Sequence, residues 1–156
     1  MDSPIFLKLP QMIPQTEIEL ETWMKRHCYN FNSYSINGNA ILEGFGIDKI
    51  KGEFIWYYTE RGIKENIKIF NTEKELIAYA FDQIQSDKWA KTHCIGMTTS
   101  KEEKIELSEE LRKRDIEFIQ DEIPYFGPER PAYRTFVLGC DVLKTKDLKS
   151  KYFKTV

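Results

Sequence analysis

Nowhere in this sequence does an apolar run approach the roughly 20 residues that a helix needs to span a bilayer, and Met1-Asp2-Ser3-Pro4 lacks the charged-then-apolar order of a signal peptide. Both absences lead us to expect a cytoplasmic protein with no membrane partner. Charge of one sign is also lacking. The 23 basic and 25 acidic side chains give a formal charge of −2, so nothing pulls the whole chain toward a phosphate backbone and no direct nucleic-acid binding is expected. Cysteine is scarce, and Cys28, Cys94 and Cys140 are an odd, widely scattered set that reads as reduced thiols acting as buried small hydrophobes. Glycine offers no phosphate cradle: neither Gly-x-Gly-x-x-Gly nor Gly-x-x-x-x-Gly-Lys occurs, and Gly44-Phe45-Gly46 precedes no helix.

What is present is a chain of 156 residues, 41% hydrophobic and 31% charged, the balance of a globular protein that folds without staples. Pro4, Pro10 and Pro14 break up the apolar start, so residues 1–15 are expected as an extended arm and 16–156 as a single domain. The most legible stretch is Gly52 to Gln85. Phe54, Trp56 and Tyr58 alternate with Ile55, Tyr57 and Thr59 in a central strand, and Glu60-Arg61-Gly62 turns the chain into a second strand through Ile67, Ile69 and Phe70. Thr72 and Glu75 have capping-box spacing for a helix that places Ile77, Ala80, Phe81 and Ile84 on one face, toward the hairpin.

Elsewhere, Thr16 and Glu19 begin a helix from about Glu17 to Cys28 whose face carries Leu20, Trp23, Met24, His27 and Cys28. Tyr34 to Ile36, Asn37-Gly38 and Ala40 to Leu42 read as a hairpin, joined to the central one through Phe45 to Ile50. His93 to Thr98 is a strand. Ser100 and Glu103 cap a helix with Ile105, Ser108 and Leu111 inward and Leu107 as a further contact, and strands follow at Ile116 to Gln120 and Tyr133 to Cys140 around a long loop from Pro124 to Pro131. A short helix closes the chain from about Lys146 to Phe153. This order predicts an α+β, or mixed α/β, fold: an N-terminal helix and antiparallel hairpins, then β-α-β-β-α, with the helices packed on one sheet.

Candidate chemistry is sparse. His27-Cys28, His93-Cys94 and Cys140 supply zinc-ligand types, but neighbours on a strand face opposite ways and no Cys-x-x-Cys or His-x-x-x-His spacing occurs, so neither metal nor cofactor is expected. A small enzyme is the alternative, using Cys94 with a histidine or the carboxylates Asp121 and Glu122. The basic runs Arg112-Lys113-Arg114 and Lys144 to Lys154 read as solvated helix ends, with a nucleic-acid accessory role for the last helix as a third reading. The most unusual loop runs from Asp121 through Glu122, Tyr125, Phe126, Glu129 and Arg130 to Tyr133. Its three prolines stiffen it, and its aromatics beside acidic groups describe a surface for a basic protein partner. Equally, Tyr125 and Phe126 could fold back over a sheet edge.

The segment Tyr57-Tyr58-Thr59-Glu60-Arg61-Gly62, the run Lys88-Trp89-Ala90-Lys91-Thr92-His93-Cys94 and the Asp121–Pro131 loop together resemble small bacterial immunity proteins of polymorphic or contact-dependent growth-inhibition toxin systems. The resemblance covers residues 53–153. It implies a cytoplasmic, non-enzymatic protein that binds a cognate toxin domain, often a nuclease, and blocks its active site. Such families share no catalytic motif, so no residue role transfers.

Overall fold

The computed structural model of the chain describes residues 13–154. All but the last three residues of the expected arm lie outside that range, and 13–15 adopt no regular element. In chain order the elements are α1 (Glu17–Arg26), β1 (Tyr34–Ser35), β2 (Glu43–Ile50), β3 (Glu53–Glu60), β4 (Ile63–Phe70), α2 (Glu73–Gln85), a 3₁₀ turn (Lys88–Lys91), β5 (Thr92–Thr98), α3 (Lys101–Lys113), β6 (Phe118–Ile123), β7 (Ala132–Leu138), a second 3₁₀ segment (Gly139–Lys144) and α4 (Lys146–Tyr152). Helices pack on antiparallel sheets, so the α+β class holds. The strands form two sheets, ordered β1-β2-β3-β4 and β5-β7-β6, where one was expected. Alternation marks a strand without naming its neighbour; β5 finds its apolar partners in β7, inside its own C-terminal half. The chain correspondingly divides into two compact units, residues up to Trp23 with Phe31–Ser86, and Met24–Asn30 with the residues from Asp87 onward.

In the first unit β3 is an interior strand between β2 and β4, as its two-sided apolar pattern requires. Arg61 and Gly62 both take positive φ, 55° and 79°, the combination that lets a two-residue turn match the strand twist. Thr72 Oγ1 accepts the Glu75 N–H at 3.2 Å and begins α2. That helix buries Leu76, Ile77, Ala80 and Ile84. Its Tyr79 ring stands edge-on to Trp56 at 6.1 Å, and Trp56 is fully buried. Phe81, expected in the core, is only half-buried and stands edge-on to Trp23 at 4.7 Å. It sits one step around the helix from the Leu76–Ala80 stripe.

The Tyr34–Leu42 hairpin does not form. β1 pairs in parallel with β2, Tyr34 opposite Phe45, and Leu42 is 93% exposed. Asn37 and Gly38 do turn with positive φ, but the returning chain bonds through a side chain. Asn39 Oδ1 accepts the Ile36 N–H, while its Nδ2 donates to the Phe31 and Tyr34 carbonyls. These bonds replace a second strand's ladder. Gly44 then passes directly against the Ser33 carbonyl at φ +140°, an approach that only glycine permits.

The second unit carries α3 and α4 on one face of its sheet. Ile95, Leu107, Leu111, Ile116, Val137, Leu148 and Tyr152 form its core. Ser100 caps α3 through the Glu103 N–H at 3.2 Å, as the spacing indicates. Ile105, expected inward, is 49% exposed, and Leu107 takes its place beside Ser108 and Leu111. A 3.6-residue period sets Leu107 and Leu111 four apart on one stripe, and Ile105 falls off it.

Two of the three cysteines are not thiols. Cys28 and Cys140 form a disulfide across 112 residues of sequence, correcting the expectation of three reduced cysteines; Cys94 is free. Nothing in the spacing could reveal the pair, because α1 and the turn after β7 meet only in the folded unit.

Candidate functional site

The loop singled out in the sequence connects β6 to β7, and β6 is an edge strand of its sheet. The two strands pair in antiparallel register, Asp121 opposite Arg134, Glu122 opposite Tyr133, Ile123 opposite Ala132. Side chains of neighbouring residues on a strand leave opposite faces, and the two carboxylates accordingly part company. Asp121 accepts two hydrogen bonds from Arg134, Nε to Oδ1 at 2.9 Å and Nη2 to Oδ2 at 2.6 Å. This fork-on-carboxylate geometry is the strong form of an ion pair. The carboxylate beside it raises the Arg134 pKa further. Glu122 is exposed, on the face that bears Tyr133. That face is the helix side: Lys104 of α3 lies 5.1 Å over the Tyr133 ring, and the Gln120 amide donates to Ser108 Oγ and Thr135 Oγ1.

Beyond Ile123 the chain tightens at once. The Tyr125 N–H donates to the Ile123 carbonyl, Gly127 to Pro124 and Arg130 to Gly127, so the loop is a series of hydrogen-bonded turns between prolines. Tyr125 and Phe126 meet edge to face at 4.9 Å and remain 52% and 46% exposed. The Arg130 guanidinium covers one side of Phe126 at 5.2 Å. Glu129 is exposed. The aromatics thus pack on each other and on Arg130, and half of each ring faces solvent. Such a pair is a large apolar contact whose shape is fixed in advance.

The loop therefore brings Tyr125, Phe126 and Arg130 together, with Glu129 on the same turns, while Asp121 is neutralised away from them. Three carboxylates against two guanidiniums leave one net negative charge between Asp121 and Arg134. Arg134 was missed in the sequence. The signal for it existed, because Asp121 stands three residues before Pro124 and Arg134 three after Pro131, which pairs them if the strands are in register across the loop. Arg134 also covers Phe136 at 5.0 Å, and Trp89 stands edge-on to Phe136 at 5.7 Å, a second aromatic–cation cluster that alternation alone could not assemble.

Of the alternative catalytic residues, Cys94 lies within electrostatic reach of Asp121 and Arg134, but no histidine joins them as a base. The His93 ring nitrogen Nε2 bonds the Cys28 carbonyl, while the Cys94 sulfur contacts the Gly96 carbonyl at 3.3 Å. Burial pushes the Cys94 thiol up, the direction opposite to the activation of a nucleophile. Among the described residues no group of three or more His, Cys, Asp or Glu side chains is arranged to hold a metal ion. No described helix is long and apolar enough to cross a membrane. Set against known proteins, the chain matches no family model, no curated protein and no solved structure.

Proposed function

We propose that this chain is an immunity, or antitoxin-like, protein: a non-enzymatic cytoplasmic binder that neutralises a cognate toxin domain by covering its active site. The observation that carries the reading is the Tyr125–Phe126 pair, held half-exposed on a proline-bounded loop by Arg130 and by turn hydrogen bonds. Aromatic anchors in a preformed shape are what a protein interface concentrates its energy on. Glu122 and Glu129 supply the negative charge that meets a basic partner such as a nuclease; Asp121, held by Arg134, serves the loop's geometry instead. A raised Cys94 pKa and carboxylates on opposite faces of β6 favour this reading over the enzyme one. In the basic C-terminal run, Lys144, Lys151 and Lys154 are each paired with an acidic neighbour, Asp141, Glu106 and Glu103, which lessens its pull on nucleic acid.

The test is co-expression with the toxin domain encoded beside the gene, followed by activity of the purified complex. Protection of the host and stoichiometric loss of toxin activity are expected. Undiminished toxicity with the folded protein in excess would refute the assignment.

A further inference from the structure

We infer that Cys28 and Cys140 are a thiol–disulfide switch that clasps the Met24–Asn30 segment to the turn after β7 within the second unit, closed under oxidising conditions and opened by a reducing thiol pool. The inference stands on these residues alone and does not depend on the proposed function. Cys28 follows the last turn of α1 in a left-handed conformation, φ 57°, where the Cys28 N–H donates to Lys25 O and the Tyr29 N–H to Met24 O. This is the geometry of a helix that has been stopped. The segment Met24–Asn30 belongs to the second unit, where Met24 and Tyr29 are buried and Lys91 stands over the Tyr29 ring. The Asn30 N–H donates to Ala90 O, the Asn30 amide to Trp89 O and Thr92 O, and His93 meets Cys28 O. On the other side, Cys140 lies in the turn after β7, its sulfur 3.5 Å from Arg26 O.

The bond is placed to exchange with thiols in solution. Cys140 is exposed, so a thiolate can reach its sulfur, and exposed bonds are the ones that exchange readily. The Cα atoms are 5.0 Å apart across 112 residues, within the range that a disulfide spans, so opening the bond releases a long loop.

Closure by oxidised glutathione balances as a two-electron exchange. The Cys140 thiolate attacks one glutathione sulfur and expels the first glutathione thiolate; the Cys28 thiolate then attacks the mixed disulfide at the Cys140 sulfur and expels the second. The two cysteines lose two protons and two electrons, and two molecules of reduced glutathione form. Reduction runs the same steps backward, beginning at Cys140. In a cytoplasm, where thiols are kept reduced, the clasp is open and closes when the poise turns oxidising.

The experiment equilibrates the native full-length chain in buffers of graded reduced and oxidised glutathione, then traps thiols by acid and alkylation for mass spectrometry. In oxidised glutathione a single alkylated cysteine, Cys94, and a linked pair of peptides containing Cys28 and Cys140 are expected. In reduced glutathione all three cysteines should be alkylated. Reduction should also raise amide exchange within residues 24–30 and lower the melting temperature by on the order of 10 °C, the loss expected from opening so long a loop. C94S should behave as the parent does, and C28S should melt like the reduced parent in either buffer. Three alkylated thiols on folded protein in oxidised glutathione would overturn the proposal, as would oxidised and reduced forms with the same exchange and melting. If C28S does not fold, the two redox forms of the parent decide the matter alone.

Discussion

Asp121 and Tyr125 are four residues apart, yet the structure gives them opposite work. Asp121 is spent on Arg134 across the ladder, whereas Tyr125 keeps half its ring in solvent. Changing Asp121→Asn should therefore loosen the β6–β7 hairpin, seen as faster amide exchange around Arg134, before it alters any charge that a partner meets. A second residue-scale prediction concerns Asp147, whose carboxylate takes a forked pair of hydrogen bonds from Arg114 at 3.0 and 2.6 Å. That guanidinium lowers its pKa from an ordinary 3.8 to about 2. A depressed carboxylate pKa stabilises the fold above the unfolded value and loses that contribution as pH falls through the folded one. The window is thus about pH 4 down to 2. Asp147→Asn should flatten the stability-against-pH curve there, measured by denaturant melts at a series of pH values; an unchanged slope would mean the pair is absent in solution.

At the scale of elements, the helices were legible because caps and stripes are local. Thr72 with Glu75 and Ser100 with Glu103 announce two N-termini in the sequence, and both caps are present. Ser100→Ala should cost about 1 kcal/mol in denaturant melts. Ile84, fully buried on α2, is the better test of that helix than the half-buried Phe81: Ile84→Ala should cost about 2–5 kcal/mol, and a cost well under 1 would misplace the core. What was not legible depended on long-range choices. Asn37-Gly38 signals a turn, but the sequence does not say that Asn39 will satisfy Ile36 and Tyr34 and send β1 parallel to β2. Likewise the alternation in β5 does not reveal that it pairs with β7 in a sheet of its own. In the candidate site the aromatics and prolines were readable; the neutralisation of Asp121 was not, since it needs the register.

For the whole molecule, a net charge of −2 provides no general attraction for a partner, so recognition has to be built locally, and the β6–β7 loop is where exposed aromatics and unpaired carboxylates coincide. We propose that this loop is the toxin-binding surface. Its most direct test is the binding kinetics of the toxin domain encoded next door against the parent, Tyr125→Ala, and the Glu122→Gln/Glu129→Gln double variant, each verified as folded by circular dichroism. Tyr125→Ala should chiefly speed dissociation, by about 30-fold for a loss on the order of 2 kcal/mol. The double variant should chiefly slow association and weaken its dependence on salt. Folded variants that bind with the parent's association and dissociation rates would contradict it and place the interface elsewhere on the chain.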